Sequence, residues 1–147
     1  MAPQRRISYY EVAPEGLKIM MEMEKYTKAS SVNSTIRELV KIRTSQINGC
    51  AFCIDTHTKD ARKMGETEQR IYGLNAWEEC NFYTPMEKAA LELTEHISLI
   101  ATKKVPDSLY QEVRQYFSEK EYVDLVLLIN QINSWNRIAI SMGTIIG

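Results

Sequence analysis

Two four-residue signals constrain this chain more than any other feature. Thr84-Pro85-Met86-Glu87 and Ser118-Glu119-Lys120-Glu121 are both capping boxes. In such a box a hydroxyl takes a free amide of the first helical turn, and the acid three residues on reaches back to the amide of the capping residue. Pro85 strengthens the first box, because its ring presets the first helical position. Apolar residues recur at helical spacing through the chain, and no segment alternates with a period of two. The 6 Gly and 4 Pro among 147 residues are too few for the tight turns of a sandwich or barrel. The expected fold class is therefore all-α. Residues 13–147 are expected to form a single domain of about six to seven helices, preceded by an N-terminal arm over residues 1–12.

Element boundaries follow from local chemistry. Residues 1–12 carry no helical period and read as an extended arm. Pro14 opens a helix that carries Leu17, Met20, Met21, Met23 and Tyr26. The next helix starts near Thr35 and stops at Asn48-Gly49, since Gly adopts the left-handed conformation without a Cβ clash. Another opens at or near Cys50 and closes at Gly65. A short helix covers about Glu66 to Trp77. The helix after Thr84 runs through Ala89, Leu93, Ile97 and Ile100. Pro106-Asp107 opens one over about Leu109 to Phe117, and the last runs from Ser118 to about Met142. Its stretch from Tyr122 to Ile129 is apolar on nearly every side, as in a central helix or a subunit interface.

Net charge and hydropathy exclude several classes. With 18 basic and 19 acidic side chains and a formal charge of -1, nothing attracts nucleic acid or an anionic membrane. The longest apolar stretch, Leu125 to Ile129, is far short of the ~20 residues a bilayer span needs. Arg5 and Arg6 are not followed by an apolar stretch, so no secretory signal is expected and the expected compartment is the cytoplasm. An odd count of 3 Cys argues against a disulfide framework.

Cys50, Cys53 and His57 stand at i, i+3 and i+7. At about 100° per residue, these offsets place all three on one helical face. Gly49 puts both thiols in the first turn, where free amides and the helix dipole favour a thiolate. Two thiols at this spacing can close into a disulfide on oxidation, and an imidazole one turn away can take or return a proton. Two other readings fit the same residues. Cys50, Cys53 and His57 could be three zinc ligands, with a fourth from Cys80, His96 or an acid. The cysteines could also be inert core residues.

The segment from Glu38 through Arg43-Thr-Ser-Gln-Ile-Asn-Gly-Cys50-Ala-Phe-Cys53-Ile-Asp-Thr-His57 to Gly65 closely resembles the AhpD-like alkylhydroperoxidases of the carboxymuconolactone decarboxylase superfamily. Leu74-Asn-Ala-Trp77, Tyr83 to Leu91 and Ile132-Asn-Ser-Trp-Asn-Arg137 extend the resemblance to short, single-domain members. It implies an AhpD-like bundle that assembles into trimers or hexamers and reduces peroxides with thiols. Cys53 then matches the peroxide-attacking thiol and Cys50 the resolving one. His57 and Glu38 match the proton relay. The resemblance implies a hydroperoxide substrate and an external dithiol reductant, with no metal and no organic cofactor. Phe52 departs from the pattern, because the best-known members carry a second histidine there.

Alternatives stay open at this point. One is a disulfide-reductase adaptor for a partner peroxidase, using the same residues. Others are a decarboxylase of the same superfamily and a structural zinc module. Glu38 also fits a capping box, Thr35-Ile-Arg-Glu38, in which it would bond the Thr35 amide. Cys80 reads as a small buried hydrophobe and His96 as a surface or interface residue. Trp77 and Trp135 read as core anchors, and Met20, Met21 and Met23 as core or interface filler. Asn130, Asn133 and Asn136 interrupt an apolar helix, and buried amides need partners. The arm, with Ile7, Tyr9 and Tyr10, is expected against a neighbouring subunit.

Overall fold

The computed structural model describes residues 4–147. The described residues form helices and no strands, in agreement with the expected all-α class. In chain order the elements are α1 (Tyr9–Val12), α2 (Pro14–Ala29), α3 (Ser34–Asn48), α4 (Ala51–Lys63), α5 (Glu68–Tyr72), a 3-10 helix (Leu74–Glu79), α6 (Pro85–Ser98), α7 (Ile100–Lys103), α8 (Asp107–Arg114) and α9 (Glu119–Ser141).

These are more helices than the six to seven expected, and the excess has local causes. Backbone torsions at Leu99 (φ -107°, ψ 35°) cut α7 from α6. The turn at Gly73 divides the expected 66–77 helix into α5 and the 3-10 helix, and non-helical torsions at Ala76 kink the latter. The arm is not wholly extended either. Ser8 O accepts from the amides of Glu11 and Val12 and starts the one-turn α1. A single turn is too short to leave a periodic signal.

The helix starts obey their sequence signals. The Thr84 side chain accepts from the Glu87 amide, and that of Ser118 from the Glu121 amide. Gly49 ends α3 at φ 67°. At the start of α3, Asn33 is the cap and accepts from the Ile36 amide at 2.9 Å. Thr35 is therefore inside the helix, and the Thr35–Glu38 box does not form.

α3 sits at the centre and serves two apolar clusters. Ile36 and Val40 pack with Leu93 of α6, Val113 of α8 and Leu125 and Leu128 of α9. Leu39 and Ile42, on the other face, pack with Ala61 of α4, Leu74, Trp77 and Leu91. Each fully buried Leu or Ile contributes roughly 1.5–3 kcal/mol, so the two clusters fix α3 on both sides. α9 buries most of its apolar circumference in the same molecule, leaving Val123 and Ile140 about half exposed.

Buried amides lock the end of α3 to α9. Asn48 donates to the side-chain oxygens of both Asn133 and Asn136 at 2.9 Å. Asn136 donates to Ser45 Oγ at 3.0 Å. The asparagine row thus makes its bonds within the chain, while Asn130 faces solvent. This clamp sets the position of the Gly49 turn, and with it the start of α4.

Candidate functional site

The site is assembled where α4 begins. Cys50 is the N-cap of α4 and its Sγ accepts from the Cys53 amide at 3.4 Å. The two cysteines form a disulfide, with Cα atoms 5.3 Å apart. Both are buried, at 1% and 3% exposure. In this oxidised form the sulfurs bond each other and offer no thiolates to zinc.

His57 lies one turn beyond Cys53, and both line a cavity of about 270 Å³. α3 brings Glu38 to the imidazole: Glu38 Oε2 lies 3.4 Å from His57 Nδ1. Neither atom makes a hydrogen bond, and the Glu38 side chain is 8% exposed. Asp60 approaches the same nitrogen at 4.0 Å. Thus all four candidate residues, Cys50, Cys53, His57 and Glu38, gather at one place. Glu38, His57 and Asp60 also present ligand-type atoms within 4.8 Å of one another, the spacing a divalent cation would require.

Several lining residues carried no functional signal in the sequence. Glu24 of α2 reaches the cavity, where its Oε1 accepts from Lys41 Nζ at 2.7 Å and its Oε2 from Trp135 Nε1 at 3.0 Å. Burial pushes the Glu24 carboxyl up, but the Lys41 charge and the bonds from Lys41 and Trp135 outweigh it and hold the group below its usual range. Lys41 is 4% exposed. A lysine between Val40 and Ile42 was the one available clue, since a buried ammonium requires a partner. Tyr9 and Tyr10 of α1 stack at 4.4 Å between centroids and line the cavity with Met21 and Phe52. Met21 is therefore a cavity residue, and Trp135 both anchors α9 and orients Glu24.

The remaining candidates lie elsewhere. Cys80 is half-buried against the Leu39 cluster, its Sγ 3.4 Å from Ala76 O. The His96 ring bonds the Lys104 carbonyl at 2.9 Å. Trp77 is buried and donates to Glu95 at 2.9 Å.

The model of the carboxymuconolactone decarboxylase family matches residues 14–96, which contain Glu38, both cysteines and His57. The chain belongs to the carboxymuconolactone decarboxylase family. A Bacillus subtilis protein called YdfG, itself uncharacterized, is 73% identical over 139 residues, covering 95% of each chain. A solved Agrobacterium tumefaciens protein of unknown function, for which an AhpD antioxidant-defence role has been suggested, superposes with a TM-score of 0.95. It is 37% identical and is covered to 99%, against 98% of this chain. A Ralstonia eutropha peroxidase-related protein with an alkylhydroperoxidase AhpD core has a TM-score of 0.81 at 16% identity. There the match covers 94% of this chain and 74% of that one, and the likeness is one of fold. The AhpD-like fold expected from the sequence is thus the fold of this chain. No helix among the described residues is long and apolar enough to cross a membrane.

Proposed function

We propose that this protein is a thiol-dependent peroxidase that reduces hydroperoxides through the Cys50–Cys53 pair. The observation that carries the reading is the disulfide at the start of α4, next to a cavity that Cys53 shares with His57.

The cycle starts from the reduced pair. His57, oriented by Glu38, takes the Cys53 proton, and the thiolate attacks the terminal peroxide oxygen. The O–O bond breaks, Cys53 becomes a sulfenic acid, and the imidazolium returns its proton to the departing alkoxide. The Cys50 thiol then attacks the Cys53 sulfur, the S–O bond breaks, and water leaves with the Cys50 proton. An external dithiol returns the pair to thiols by exchange. Phe52 stands where the family's second histidine would be, so His57 carries both proton transfers.

Peroxide consumption with dithiothreitol as donor tests the reading. Turnover that disappears in Cys53→Ser supports it. Peroxide reduction that needs an added partner peroxidase favours the adaptor reading instead. Intact dithiols with no peroxide-dependent thiol loss would overturn the proposal. We infer too that the chain assembles as a cytoplasmic trimer or hexamer. Half-exposed Ile100 supports an assembly, beside a groove that Ile97, Val105, Tyr122 and Val126 line with it.

A further inference from the structure

The two cysteines of the disulfide border separate cavities. The one described above contains Cys53 and not Cys50. A second, of about 810 Å³, contains Cys50 and not Cys53, and the two share no lining residue. The second cavity is built from the N-terminal arm, the Gly49 turn and the segment after α9. The Arg6 amide donates to Met142 O at 3.1 Å and the Arg6 guanidinium to Ser141 O at 3.2 Å, which holds the arm along one wall.

The cavities differ in charge. Arg5 and Arg6 line the Cys50 cavity, with no acidic side chain among its described lining residues. Glu24 and Asp60 line the Cys53 cavity. Thiol–disulfide exchange needs the entering thiolate to approach one sulfur from the side away from the other, and it proceeds faster when the expelled thiol is the more acidic. Cys53 is the better leaving group, because His57 stands one turn away on the same cavity to take up its negative charge. The second cavity borders Cys50, whose sulfur must then be attacked.

We propose that the Cys50 cavity is the reductant's entrance, and that it takes a small dithiol bearing carboxylates. The inference rests on the redox cycle above for its place in turnover. The entering thiolate forms a bond to Cys50 Sγ, and the Cys50–Cys53 bond breaks. Cys53 leaves as a thiolate and picks up a proton through His57. The reductant's second thiol, as thiolate, attacks its own sulfur in the mixed disulfide, closes the reductant's disulfide and releases the Cys50 thiolate, which takes a proton from water. The products are the reduced pair and one small-molecule disulfide. Peroxide uses the other cavity, so oxidation and reduction enter by different openings. Charge favours this entrance, since the arginines at Cys50 attract an anionic thiol.

The test uses full-length protein oxidised with diamide, so no peroxide chemistry is involved. Mercaptosuccinate and 2-mercaptoethanol are the two probes, one dianionic and one neutral. After an acid quench and alkylation, peptide mapping of the wild-type protein should find the mixed disulfide on Cys50 and the alkyl tag on Cys53. Exposed Arg5 is the charge variant. Arg5→Glu should slow reduction by mercaptosuccinate about tenfold and leave 2-mercaptoethanol within about twofold, with Arg5→Lys restoring the rate. A mixed disulfide mapping to Cys53, or equal slowing with both thiols, would overturn the inference. Failure here alongside intact peroxide-dependent thiol loss leaves the peroxidase reading standing. Loss of that oxidation sinks the peroxidase reading while this test still runs.

Discussion

Glu38 and His57 face one another at 3.4 Å, and neither facing atom makes a hydrogen bond, which sets the first expectation. Glu38→Gln keeps the shape and removes the charge that orients the imidazole. Peroxide-dependent oxidation of Cys53 should slow by about 10²-fold, while the melting temperature holds, because Asn33 and not Glu38 caps α3. A variant that only melts earlier would make Glu38 a structural residue. A second expectation concerns Asp124, which is fully buried and accepts from Tyr26, Ser31 and Lys120. Burial raises its carboxyl, but these bonds outweigh it and hold the group at about 2. Its folded value lies below its unfolded one, so its contribution to stability is complete above about pH 4 and is lost as pH falls toward 2. Urea unfolding against pH should show that loss in the wild type and a flatter acid limb in Asp124→Asn.

Helices and turns were legible in the sequence wherever their cause spans a few residues. The caps at Thr84 and Ser118 and the left-handed Gly49 were readable because donor, acceptor and torsion all lie within one turn. The break at Leu99 and the kink at Ala76 were not, since no Gly or Pro marks either. The Cys50–Cys53–His57 face followed from helical spacing alone. The Glu24–Lys41–Trp135 bonds could not, because they join α2, α3 and α9 across long stretches of chain. The Asn33 cap was hidden by the competing Thr35–Glu38 pattern. At this scale Gly143 gives a further prediction. It has φ 68°, and an added Cβ would meet Gln4 O at 2.5 Å and Arg6 N at 3.1 Å. Both are backbone atoms, so the arm must shift. Gly143→Ala should cost about 1 kcal/mol or more and speed amide hydrogen exchange at Arg6. Unchanged exchange at Arg6 would show that the arm is held by other contacts.

As a whole molecule, the chain uses α3 to carry two cores and, from its central position, to bring Glu38 to His57 and Lys41 to Glu24. The arm packs on its own chain through Arg6, and Tyr9 and Tyr10 line the cavity. Deleting residues 1–12 should therefore open the Cys53 cavity and lower thermal stability. Light scattering at micromolar concentration should give a mass well above the 17.0 kDa chain. A persistent 17.0 kDa species would rule out the proposed assembly. The central claim, a dithiol site oxidised by peroxide, is tested most directly by counting free thiols before and after one equivalent of a hydroperoxide. The account predicts the loss of two thiols, mapped to a Cys50–Cys53 disulfide, with Cys80 still reduced and full recovery on adding dithiothreitol. No thiol loss, or a cross-link that includes Cys80, would contradict it.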